Sequence, residues 1–182
     1  LFDWQSAADS TAAVTAVGIV WIAIMTAICV YGIELSARTQ VGLLGAELLT
    51  LGIFAVVALV KVAAGTAGPN AVDPTLSWLN PFAVDSFDAF VSGVLLSVFI
   101  YWGWDSTVTV NEESENSNET PGRAAVVSTV ILLATYVIVA VAAQAFDGPQ
   151  ALIDNSDDIF SELGSAVLGS PLDKLLIIAV LT

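Results

Sequence analysis

Long uninterrupted apolar runs constrain this sequence more than any other feature. Thr11–Val30 contains no charged residue, and its length matches the roughly 20 residues that a helix needs to cross the core of a bilayer. Similar runs occupy residues 41–62 and 124–146. Lipid offers no hydrogen bonds to the backbone, and a helix satisfies its backbone groups internally. The pattern therefore predicts an all-α integral membrane protein, a polytopic helical bundle whose partner is the lipid bilayer.

Two further apolar segments complete the predicted topology. A third span is expected at residues 86–110, and residues 172–182 open another. Ile159, Phe160, Leu163 and Val167 recur at helical spacing and predict an outer-loop helix at about 157–168. We interpret residues 1–182 as part of a single membrane domain in a longer polypeptide, because the chain starts without Met and stops inside an apolar run.

Composition excludes several classes of protein. Hydrophobic residues make up 57% of the chain, which favours a multi-pass protein of the cell membrane. Four Lys and Arg stand against 18 Asp and Glu, so no nucleic-acid partner is predicted. The chain has one Cys and no His, and its acidic residues lack the spacing of a calcium loop. We therefore predict no metal site and no cofactor.

The third span is interrupted by the sequence YWGWD, Tyr101–Asp105. Gly103 lies between Trp102 and Trp104, and Asp105 follows at a depth where an isolated charge is costly. A helix broken at membrane depth frees carbonyls and amides, and secondary transporters bind substrates at such breaks. We predict that the carbonyls bind a substrate ammonium group and the amides a carboxylate. Two simpler roles stay open: Gly103 permits close helix packing, and Asp105 caps the second half-helix.

Glu47 is a second candidate, because it lies within the first two turns of the predicted span at 41–62. Carboxylates inside a membrane span are functional hypotheses by default. We predict that Glu47 takes up and releases the coupling proton. The alternative is that Glu47, being near a span end, only reaches interfacial water.

Several short motifs resemble those of the amino acid–polyamine–organocation permeases. They are GWDS at 103–106, Glu112-Glu113, Asn116, PGRA at 121–124 and YGIELSARTQ at 31–40. The resemblance implies a five-plus-five inverted-repeat transporter fold, of which this chain holds spans four to seven and the start of eight. It also implies that substrate binds between broken spans one and six, the latter being the span with Gly103.

The resemblance carries over to individual residues. It implies that the carbonyls of Phe99 and Trp102 face the substrate amine and that Phe99 or Tyr101 is an aromatic gate. It places the connections with Arg38 and Arg123 in the cytoplasm. Two departures limit it: relatives have basic residues and Asn-Pro where acidic and small polar residues stand at 115–119, and many carry Lys where Glu47 stands.

Together these features predict a secondary active transporter, a permease that moves amino acids or related amines by alternating access. A proton or sodium gradient drives it, as a symporter or an antiporter. The alternative is a non-transporting membrane protein: a structural or receptor bundle, or an intramembrane enzyme using Asp105 or Glu47. The enzyme reading lacks His, paired Cys and metal spacing, so no catalytic residue is predicted. A structural bundle leaves the break at Gly103 unexplained.

Overall fold

The computed structural model describes residues 10–103, 109, 116–156 and 159–181. Secondary structure in these residues is helical, without strands, and confirms the all-α prediction. Two short 3-10 helices, Leu76–Leu79 and Pro81–Ala83, lie in the connection before the third α-helix. The six α-helices of the described residues are α1 (Thr11–Tyr31), α2 (Ile33–Ala63), α3 (Phe87–Ile100), α4 (Thr120–Asp154), α5 (Ile159–Leu168) and α6 (Asp173–Leu181).

The chain forms two compact units. One combines Leu1–Ile53 with Asp158–Thr182, and the other is Phe54–Asp157. Helix α2 contributes its first part to one unit and its last turns to the other. The single membrane domain inferred from the sequence stays a prediction.

Three of the described helices are long and apolar enough to cross a membrane. They are α1, most of α2 (Glu34–Ala63) and α4, each with an 18-residue stretch whose mean hydropathy is 2.4, 2.4 and 2.5, respectively. None of the side chains of α1 is buried, which is the exposure expected of a helix that faces lipid. Its first turn is capped by Ser10, whose hydroxyl accepts the Ala13 amide at 3.4 Å.

Helix α2 begins at Ile33, ahead of the predicted span at 41–62. Only Gly32 separates it from α1. Arg38 and Glu34 form a 2.7 Å ion pair across one turn, with both side chains exposed. The residues expected to form a connection therefore continue the helix, because hydropathy indicates where lipid begins rather than where helical hydrogen bonding begins.

Helix α3 is much shorter than a membrane span. It starts after Ser86, whose hydroxyl accepts the Ala89 amide at 3.1 Å, and it ends at Ile100 after 14 residues. That length corresponds to about 21 Å, whereas the hydrocarbon core is about 30 Å thick. Tyr101–Gly103 form a turn at its end.

Helix α4 extends well beyond Phe146, where the predicted span ended. Gly148 interrupts it with non-helical dihedral angles, φ 75° and ψ 154°, and Pro149 follows. Its buried residues near this kink include Ala142, Ala145 and Phe146. The helix therefore changes direction while its two parts remain continuous along the chain.

Helices α5 and α6 pack on each other within their unit. Val167 of α5 and Leu176 of α6 are fully buried, and Leu163 of α5 is buried. Phe160 of α5 remains exposed. Helix α5 spans Ile159–Leu168, while residues 157 and 158 of the predicted range lie outside the described part of the chain.

Candidate functional site

The end of α3 shows how the helix stops. The Tyr101 amide makes the last α-helical bond, to the Ser97 carbonyl at 3.0 Å, and the Trp102 amide turns back to the Phe99 carbonyl at 3.3 Å. Gly103 then takes φ 118°, a conformation that side chains disfavour. No described atom beyond its chain neighbours lies within 4 Å of where a Cβ would stand on Gly103. The turn therefore presents backbone that is open to approach.

Two of the predicted substrate-binding residues form an aromatic pair beside this turn. The rings of Phe99 and Trp102 stack with centroids 6.0 Å apart and planes 16° from parallel. Residues three apart at a helix end share a face, which places both rings on the same side. Phe99 is 66% exposed and Trp102 71% exposed. The pair is available to a ligand or to another helix.

Tyr101 lies against a residue that the sequence did not single out. Its ring meets the Tyr136 ring of α4 edge-on, with centroids 5.5 Å apart and an angle of 78° between the planes. Edge-to-face pairs of this kind contribute about 0.5–1.5 kcal/mol beyond the area they bury. The only signal for Tyr136 in the sequence is a lone tyrosine inside an apolar span, which does not indicate what it contacts.

The remaining predicted residues are Trp104, Asp105 and Glu47. Trp104 and Asp105 lie outside the described residues. Glu47 is half-buried on α2, in the part that belongs to the other compact unit. One turn further on, the buried Thr50 hydroxyl donates to the Ala46 carbonyl at 2.8 Å. Glu47 thus lies within a regular helical segment of α2 and not at a break.

Metal ligands are not clustered in the part of the chain that the structure describes. Within it, no group of three or more His, Cys, Asp or Glu side chains lies close enough to hold an ion. The groups that the structure describes at the end of α3 include backbone carbonyls and the rings of Phe99, Tyr101 and Trp102.

Comparison with known families decides what kind of protein carries this break. The family model described as "Amino acid permease" matches residues 2–181. The chain belongs to the amino acid permease family. The match extends over both compact units and confirms the resemblance that the motifs around Gly103 and Arg123 indicated. No significant match was found among curated proteins or solved structures.

Membership in this family makes the chain part of a transport protein of the membrane. The three long apolar helices of the permease agree with this setting. The family match does not assign a role to any single residue.

Proposed function

We propose that the permease is a secondary active transporter of amino acids or related amines, which binds its substrate at the end of α3 and works by alternating access. One observation carries the proposal: an apolar helix too short to cross a bilayer ends in a turn, with Gly103 at φ 118°. A break of this kind exposes backbone groups at membrane depth, where a ligand is needed to satisfy them.

The end of α3 suits the amine of the substrate. The last carbonyls of a helix and the negative end of its dipole attract a cation. The Phe99 carbonyl already accepts the Trp102 amide, but at 3.3 Å, and a carbonyl oxygen has a second lone pair. An ammonium group lying beyond this turn therefore has acceptors. The carboxylate would bind to amides of the segment that starts at Asp105, since the start of a helix attracts a negative charge.

The aromatic residues supply the walls of the proposed site. The stacked Phe99 and Trp102 rings give a rigid apolar surface at little entropic cost. Tyr101 is held by Tyr136, so the turn is anchored on α4. Either Phe99 or Tyr101 would act as the gate, and Trp104, the next residue after Gly103 in the sequence, is proposed as a further wall.

Coupling to an ion gradient is assigned to Glu47. A carboxylate within a membrane-spanning helix suits proton uptake and release, or sodium binding. The permease would lie in the cell membrane as a multi-pass protein, with the connections around Arg38 and Arg123 in the cytoplasm. The Val72 amide donates to the Ala145 carbonyl at 2.8 Å, which supports placing residues 63–85 and the end of α4 on one common side.

Uptake into proteoliposomes tests the function directly. The full-length permease is reconstituted, a proton or sodium gradient is imposed, and a panel of radiolabelled amino acids and amines is offered. We expect concentrative uptake of at least one compound, lost when an ionophore collapses the gradient. Liposomes with α-helical protein but no uptake or exchange of any compound would refute the proposal.

A further inference from the structure

A short segment of the connection between α2 and α3 completes the hydrogen bonding of α4 where that helix is broken. In a regular helix the amide of residue 149 would donate to the carbonyl of Ala145. Pro149 has no amide hydrogen, so that carbonyl loses its helical partner. The Val72 amide donates to it instead, at 2.8 Å. The connection thus replaces the one bond that the proline removes.

Gly148 lets the same segment come close. With φ 75° and ψ 154°, Gly148 lies in a region of backbone conformation that is essentially restricted to glycine. A Cβ at this position would stand 2.8 Å from the carbonyl oxygen of Asn70. The side chain of Asn70 in turn donates to the carboxylate of Asp147 at 3.3 Å. Asn70–Val72 therefore meets about one helical turn at the kink, Ala145–Gly148, through backbone and side chain.

Two hydrogen bonds, which can break and re-form, join this segment to α4. Asn70 is exposed, so water can replace its hydrogen bond to Asp147, whereas the Val72 amide, on a residue that is 42% exposed, donates to the buried Ala145. An open groove lined by Asn70, Asp147, Gln150 and Asp154 runs beside the segment and admits that water. Release of the segment would free the kink at Gly148–Pro149.

Release of the segment Asn70–Val72 would also affect the start of α3. The connection that holds Asn70–Val72 leads through the two 3-10 helices to Ser86, the cap of α3. We propose that Asn70–Val72 is a releasable latch, closed on the α4 kink in this structure, which must open for the permease to complete a transport cycle. The latch rests on the proposed alternating access, since a transporter without a conformational cycle has no need to release it.

Reversible cross-linking tests the latch. Asn70→Cys and Asp147→Cys are combined in the full-length permease with Cys29→Ala and no other cysteine. They are bridged by a short bis-thiosulfonate reagent that a reductant removes. Uptake should fall by about tenfold or more when the bridge is present and return after reduction, since the bridge removes the open state. Normal uptake by the bridged permease would overturn the latch.

A second pair of cysteines controls for the effect of chemically modifying this surface. Gln150 and Asp154 lie one turn apart on the last part of α4, where the Gln150 amide donates to Asp154 at 3.0 Å. Gln150→Cys with Asp154→Cys, bridged by the same reagent, stays within one rigid helical turn and should keep its uptake. Equal loss of uptake in this pair and in the latch pair would count against the latch.

Hydrogen exchange of the unaltered permease tests opening of the latch without measuring transport and without variants that can misfold. A latch that opens predicts that the Val72 amide exchanges about tenfold or more faster than amides in the middle of α4, through a local opening. Exchange at Val72 as slow as in the middle of α4 would overturn the latch. If the unaltered permease shows no uptake at all, the proposed function fails, and exchange alone decides whether the segment opens.

Discussion

The amide of Val72 donates to the carbonyl of Ala145 at 2.8 Å, and Pro149 is the residue that leaves this carbonyl without a helical partner. The described residues therefore contain a kink inside α4, at Gly148, and an end of α3 that leads into Gly103, and the two differ in kind. At Gly148 the protein's own backbone supplies the missing bond. At Gly103 the described atoms leave open space. A break satisfied from within is suited to a hinge, and a break left open is suited to a ligand.

The first prediction concerns the stability of the kink. Gly148→Ala places a Cβ 2.8 Å from the Asn70 carbonyl oxygen and forces a non-glycine residue to φ 75°. We expect the free energy of unfolding to fall by about 1–3 kcal/mol from backbone strain alone, with the clash adding to it. Thermal unfolding in detergent measures the loss. Gly169→Ala is the control, because Gly169 has φ 69° and open space around it. Equal destabilisation by the two variants would show that the contact with Asn70 contributes nothing.

The second prediction concerns the break at the end of α3. Gly103→Leu favours continuation of the helix, since Leu is about 1 kcal/mol better than Gly in a helix. At φ 118° the same Leu is strained, and it fills space that the substrate would need. We expect normal insertion and folding but loss of binding and of uptake. Gly93→Leu, at an exposed position inside the same helix, should keep both. Uptake by Gly103→Leu at the wild-type rate and equal expression would remove this turn from the substrate path.

The third prediction concerns coupling. Glu47→Gln keeps the size of the side chain and removes its charge and its proton exchange. The variant should retain substrate binding and downhill exchange but lose accumulation driven by a pH gradient. Glu34→Gln is the control on the same helix, because Glu34 is exposed and pairs with Arg38. Unchanged accumulation by Glu47→Gln under a proton gradient would leave Glu47 a structural role only.

The fourth prediction concerns sidedness. Asp73 and Asn118 are both exposed, one in the connection before α3 and the other in the turn before α4. In a background without other cysteines, an impermeant maleimide added to intact cells should label Asp73→Cys and leave Asn118→Cys unlabelled until the membrane is opened. The reverse pattern would invert the topology and place the connections around Arg38 and Arg123 outside.

Local patterns in the sequence were sufficient to predict the helical membrane fold and the family. Apolar runs of span length predict helices because lipid leaves the backbone no other partner, and the described helices α1, α2 and α4 follow those runs. The spacing of Leu163 and Val167 predicted α5 for a similar reason, since one apolar face has to be buried. The motifs around Gly103 and Arg123 indicated the permease family. Each of these signals is local, because it can be read from a short stretch of consecutive residues.

Contacts between distant parts of the chain required the tertiary structure. The sequence shows that Gly148 and Pro149 interrupt a helical pattern, but Asn70 is 77 residues from Asp147, and no local periodicity selects that partner. The pairing of Tyr101 with Tyr136 was hidden for the same reason. The start of α2 at Ile33 was missed because hydropathy records contact with lipid, whereas the helix continues into water through its own hydrogen bonds. Sequence determined which segments are helical and apolar, and only packing decided which backbone groups of one segment satisfy those of another.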